Sequence, residues 1–173
     1  MAHLEKKDMK QAIRSGLIGF AIGDALGVPI EFLNRNFLEL MPVSEMLSVG
    51  THHQPAGTWS DDTSMTICLM QSLIDQKCFH YHDIMENFVK WYLQDEFTAT
   101  KLTFDIGSTC KRAIENYLAG GHPVKCGMSH YANNGNGSLM RILPVAFVCH
   151  NNQITGEKRY ELVKNISSLT HAH

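Results

Sequence analysis

The chain is 173 residues long, 44% hydrophobic and 18% charged, which suits one folded domain with a substantial core and excludes an intrinsically disordered segment. A formal net charge of −2 supplies no basic stripe for nucleic acid, so duplex binding is not expected. No apolar run reads as long enough to span a bilayer, and Met1-Ala2-His3-Leu4-Glu5-Lys6-Lys7-Asp8 lacks the core of a signal peptide, so the expected setting is cytoplasmic with no membrane partner.

From about Met9 to Leu26, Ala12, Ile13, Leu17, Phe20 and Ile22 recur at helical spacing. Gly16, Gly19, Gly23 and Gly27 mark one face at a cost in helix propensity, which points to close approach by another helix or by a ligand. Gly27 and Pro29 stop the helix and leave Glu31 on a loop. Asp24 sits near a helix end whose dipole disfavours it, which hints at a specific hydrogen-bonding duty. The stretch from Met41-Pro42 to Gln54-Pro55 looks variable and carries no clear pattern.

Gly57-Thr58-Trp59-Ser60-Asp61-Asp62-Thr63-Ser64-Met65 follows, a glycine-led turn into an apolar helix ending near Gln76. It admits two readings. Ser60 can cap the helix while Asp61 and Asp62 sit where its dipole favours negative charge. Alternatively, one hydroxyl and two carboxylates offer hard oxygen ligands to a Mg²⁺- or Mn²⁺-type ion, and the stretch alone leaves both open.

Cys68 reads as a small core residue on that helix, and the five cysteines, widely spaced with no Cys-x-x-Cys pair, read mostly as reduced thiols. Tyr81 to Gln94 forms a helix with a wide stripe of Ile84, Phe88, Trp91 and Tyr92. A further helix runs from Asp105 to Ala119 and stops at Gly120-Gly121-His122-Pro123. Asn133-Asn134-Gly135-Asn136-Gly137-Ser138-Leu139-Met140-Arg141 is a turn leading into a helix, Leu139 to Val148, kinked at Pro144. Backbone N–H groups freed at such a turn and helix start suit an anion such as a diphosphate. Glu157 to Leu169 is the last helix, and Thr170-His171-Ala172-His173 reads as a frayed tail or a chain cut short. With no long strand, repeat or linker, the expected fold is all-α, a compact multi-helix domain over 1–173.

Taken in order, Gly19-Phe20-Ala21-Ile22-Gly23-Asp24-Ala25-Leu26-Gly27 with Glu31, Thr58-Trp59-Ser60-Asp61-Asp62-Thr63, Gly135-Asn136-Gly137-Ser138-Leu139-Met140-Arg141 and Thr170-His171 resemble the ADP-ribosylglycohydrolases. The resemblance covers nearly the whole chain. It implies an all-helical domain holding two Mg²⁺ or Mn²⁺ ions, which hydrolyses the bond from ADP-ribose C1″ to a protein side chain or another leaving group. By resemblance, Ser60, Asp61 and Asp62 are metal ligands, and Glu31, Asp61 and Asp62 form the catalytic set. Asn136, Gly137, Ser138 and His171 contact the ADP-ribose. Family members continue to a late Asp-x-Asp-Thr stretch that completes the metal pair, and this sequence carries none, so the domain reads as incomplete at its C-terminus.

The implied partners are an ADP-ribosylated protein or an ADP-ribose derivative, together with a second polypeptide if one supplies the missing part. Two other readings stand beside the enzyme: a non-catalytic ADP-ribose binder or crystallin-like structural relative, and one half of a complementing split enzyme.

Overall fold

A computed structural model describes residues 6–173, so most of the stretch read above for a signal peptide lies outside the described residues. Among those residues there are seven α-helices: α1 (Lys6–Gly27), α2 (Arg35–Leu40), α3 (Asp61–Gln76), α4 (Tyr81–Gln94), α5 (Ser108–Leu118), α6 (Leu143–Asn151) and α7 (Gly156–Ser168). Extended pairing among them is limited to two isolated bridges, Val49 with Gln54 and Met128 with His171, so the fold is all-α as expected.

The core is centred on α3 and α4. Met65, Cys68 and Leu69 of α3 meet Ile84, Met85, Phe88 and Trp91 of α4, all buried at apolar helical spacing. Lys77, in the left-handed region at φ 58°, ends α3, and its N–H returns to Leu73 O. A short loop then brings α4 back alongside. Asn87 Nδ2 donates to Cys68 O at 3.1 Å, which fixes the register of the pair from inside the core. Cys110 and Ile114 of α5, Val145 and Cys149 of α6, and Ile166 and Leu169 at the end of α7 close around it. α1 lies on the outside, packed on α3 and α6.

Several expectations change here. α5 begins at Ser108 rather than Asp105, because Gly107 is the extended cap residue and Asp105 sits at φ 56°, where a helix cannot run. α6 begins at Leu143 rather than Leu139. Pro144 lies in its first turn, where a missing N–H costs nothing, and so it opens the helix instead of kinking it. Leu139 to Ile142 form a tight turn closed by Ile142 N–H to Leu139 O at 3.2 Å. Just before the patternless stretch runs α2, which no apolar spacing marked, capped by Asn34, whose side chain accepts from Asn36 N.

The end of the chain is tied down: Met128 N–H donates to Thr170 O at 3.0 Å and Ala172 N–H to Met128 O at 2.9 Å. The membrane expectation also needs correcting. Asp8–Ile30 is, by length and composition alone, long and apolar enough to cross a bilayer, and little of it is buried. Its Asp24 is nevertheless held in hydrogen bonds to the start of α3, which binds this helix into the fold.

Candidate active site

The site grows from one clamp. Asp24, near the end of α1, accepts from Ser60 Oγ at 2.7 Å, Thr63 Oγ1 at 2.6 Å, Ser60 N at 3.0 Å and Thr63 N at 3.0 Å. A carboxylate is thereby set at the positive end of α3, satisfying N–H groups that a helix start leaves free. This is the duty that the misplaced charge on α1 hinted at. Ser60 also caps α3 by accepting from Asp62 N at 3.3 Å, so its hydroxyl is already part of the helix start.

The clamp forces two acids inward. Asp61 is buried and Asp62 half-buried. Burial first, then the charges of Asp62 and Asp105, push the Asp61 carboxyl up to about 8. Asp62 is raised as well, by burial and then by Asp24, and it shares a hydrogen bond with Asp61. Across the cleft, burial and then a hydrogen bond with Glu31 lift Asp105 to about 7. Asp61, crowded by Asp62, and Asp105, bonded to Glu31, are therefore the two carboxyls of the cleft that hold a proton most readily as pH approaches neutrality.

Glu31 leaves the short helical turn at Val28–Ile30 and meets His52 Nε2 at 2.7 Å, while Asp105 Oδ2 lies 3.8 Å from the same nitrogen. Ligand atoms of Glu31, His52 and Asp105 lie within 4.8 Å of one another, a grouping that fits a cation. Neither His52 nor Asp105 was among the residues singled out from the sequence. No helical pattern marks either one, and the only local sign is the Gly107 that follows Asp105 and delays α5.

The second wall is the glycine turn. Gly137 is wedged so tightly that a Cβ there would lie 2.7 Å from both Cys110 Sγ and His171 Cε1. Arg141, fully buried, donates to Gly137 O, to Thr170 Oγ1 at 2.8 Å and to Ile166 O at 3.0 Å, and its guanidinium lies 5.1 Å from the Phe88 ring centroid. It ties the turn to the end of α7. His171 is buried beside Thr170, with Nδ1 2.7 Å from the Thr170 hydroxyl; burial and then Arg141 push its pKa down to about 4, leaving it neutral. Ser138 lies behind the turn, accepting from Ser167 Oγ at 2.9 Å.

Glu31, Asp62 and Asn136 line two adjoining cavities. The larger, about 580 Å³, runs along Gly19, Gly23 and Gly27 of α1 and also touches Asp24 and Ser60. The smaller, about 280 Å³, is lined by Asp61, Asp105, Gly137 and His171 among others. Of the α1 glycines only Gly16 meets a neighbour, the Phe147 ring of α6, and the other three face open space. The donors are of the kind a hard divalent cation takes: the Ser60 hydroxyl lies 3.4 Å from Asp62 Oδ2, and Asp61, crowded by Asp62, opens on the smaller cavity.

The family model for ADP-ribosylglycohydrolases matches residues 5–173. The ADP-ribosylarginine hydrolases of Pseudomonas putida and Serratia proteamaculans are each 36% identical to this chain, over 77% of its length and 35% of theirs. The ADP-ribosyl-[dinitrogen reductase] glycohydrolase of Rhodospirillum rubrum is 31% identical, over 75% of this chain and 42% of its own. A solved structure described as an ADP-ribosylglycohydrolase-related protein complex superposes with a TM-score of 0.74 at 33% identity, covering 95% of this chain and 50% of that one. The chain thus spans well under half the length of these curated relatives. A family match along all but the first residues, on a shared helical fold, means that this chain belongs to the ADP-ribosylglycohydrolase family.

Proposed function

We propose that the protein hydrolyses the bond between ADP-ribose C1″ and an arginine side chain of a modified protein, with Mg²⁺ or Mn²⁺ as cofactor. The observation that carries this reading is that Glu31, Ser60, Asp62 and Asn136, distant in sequence, line one cleft of about 580 Å³, a size typical of small-molecule sites. Arginine is favoured because two relatives at 36% identity are named for it, and because the acids around the cleft complement a guanidinium.

Hydrolysis at an anomeric carbon passes through an oxocarbenium-like state, so the ribose must be held, a water placed and the leaving group assisted. Ser60, Asp61 and Asp62 would hold the cation, which when bound orients the ribose diol and lowers the pKa of water. Glu31 takes or gives the proton at the scissile bond. Asn136 and Gly137 present the turn to the diphosphate, with Ser138 supporting it from behind. His171, being neutral, serves as a hydrogen-bonding wall.

The test is ADP-ribose release from an ADP-ribosylarginine peptide with Mg²⁺ or Mn²⁺. Asp62→Asn should lower it at least a hundredfold and remove the rise in melting temperature that the cation produces at pH 8. Glu31→Gln should lose turnover and keep ADP-ribose binding. Cation-dependent activity surviving in Asp62→Asn overturns the reading. ADP-ribose bound with no substrate hydrolysed assigns a binder, and no binding at all assigns a structural role. Native mass spectrometry tests for a second polypeptide that completes the cation site.

A further inference from the structure

We infer that His52 is a positioning residue that holds Glu31 over the cleft, delivered by the turn from Val49 to Gln54. The inference rests on the reading of Glu31 as the acid–base group.

The turn is closed on itself by Val49 N–H to Gln54 O at 2.8 Å and Gln54 N–H to Val49 O at 3.2 Å, and Gln54 Nε2 donates to His52 O at 3.1 Å. It is then docked on the segment that carries Glu31. Thr51 N–H donates to Pro29 O at 3.1 Å and Thr51 Oγ1 to Glu31 O at 2.6 Å. Gly50 adopts φ 52°, and a Cβ there would lie 2.1 Å from Pro29 O, so only glycine lets the two backbones approach this closely.

At the tip, the His52 ring lies between Phe32 and Phe104, with centroids 6.1 and 5.4 Å away, and its side chain is 14% exposed. Its Nε2 lies 2.7 Å from Glu31 Oε2. None of residues 49–54 is fully buried, so the turn adds nothing to the hydrophobic core, and its fixed contacts converge on Glu31.

A glutamate on a partly exposed loop samples several rotamers, and most leave its oxygens away from a reacting carbon. Engaging Oε2 by an imidazole N–H, beside the Asp105 carboxyl that also bonds Glu31, selects one rotamer of the carboxylate. This is support for a reacting group by a neighbour that does not itself touch substrate.

The experiment compares His52→Ala, His52→Gln, Glu31→Gln and the His52→Ala/Glu31→Gln double variant of this chain on the ADP-ribosylarginine peptide, with calorimetry of ADP-ribose alongside. His52→Ala should lower kcat at least tenfold with KM and the ADP-ribose Kd within twofold of wild type. His52→Gln, whose amide nitrogen can donate from a similar place, should restore most of that loss. The double variant should be no slower than Glu31→Gln. A His52→Ala chain with wild-type kcat, or losses that multiply in the double variant, overturns the inference. So does a loss of cation binding in His52→Gln, which would make His52 a metal ligand.

Nitrogen-15 correlation spectra of the imidazole need no turnover. They should show the His52 proton on Nε2, moving when Glu31 becomes Gln. If the wild-type chain hydrolyses nothing, the proposed function fails for this chain. A His52 ring indifferent to Glu31→Gln then sinks the positioning role separately.

Discussion

His171 shows how a single residue acquires a property that its type does not have. In solution an imidazole titrates at about 6.5, yet here burial and then Arg141 push it down to about 4. Because the folded pKa is depressed and the group is cationic when protonated, its contribution to stability is present above pH 6.5 and is lost as pH falls towards 4. Asp61 and Asp105 run the other way. Raised to about 8 and about 7, they contribute fully below pH 4, and that contribution is lost as pH rises through those values. Thermal melts of wild type and His171→Asn between pH 7 and 4.5 separate the two trends. Wild type should lose more melting temperature than the variant over that range, and equal losses would mean that His171 titrates as it does in the unfolded chain. The hydroxyl and carboxylates of Ser60, Asp61 and Asp62 stand out in the sequence because three oxygen-bearing residues in a row are conspicuous. His52 and Asp105 do not, since each is ordinary until folding brings it beside Glu31.

At the level of elements, α1 departs from what helix propensity favours. Gly19, Gly23 and Gly27 weaken it while packing against nothing, and they line the larger cavity instead. Gly19→Ala should therefore stabilise the chain by about 0.5–1 kcal/mol in urea denaturation, the usual helix-interior difference. It should also weaken ADP-ribose binding threefold or more by narrowing the cleft. Unchanged affinity would mean that the ligand does not run along α1. The helix bodies were legible because apolar spacing of 3.6 is written along them, and α4 falls on the expected residues, Tyr81–Gln94. The starts of α5 and α6 were not. Each depends on a backbone choice of one or two residues, the left-handed Asp105 and the Pro144 that opens a helix, and periodicity does not register such choices.

For the molecule as a whole, the five cysteines give a direct measure of how the core is closed. All are free, and Cys78 alone is exposed; burial drives the thiol pKa of Cys68 well up and that of Cys110 to about 11. A thiol reagent at neutral pH should therefore modify one cysteine quickly in the native chain and all five in denaturant. Fast reaction of more than one native thiol would contradict this packing. By itself, the sequence determined the helical class, most helix bodies, the capped acidic turn and the glycine turn, because periodicity and capping act over a few residues. Only the tertiary structure decided that Asp24 clamps Ser60 and Thr63 from 36 to 39 residues away, that Arg141 binds Gly137 to Thr170, and that His52 and Asp105 close on Glu31. Burial and charge interaction depend on separation in space, so the raised Asp61 carboxyl exists only once folding has withdrawn water and brought Asp105 and Asp24 up to it.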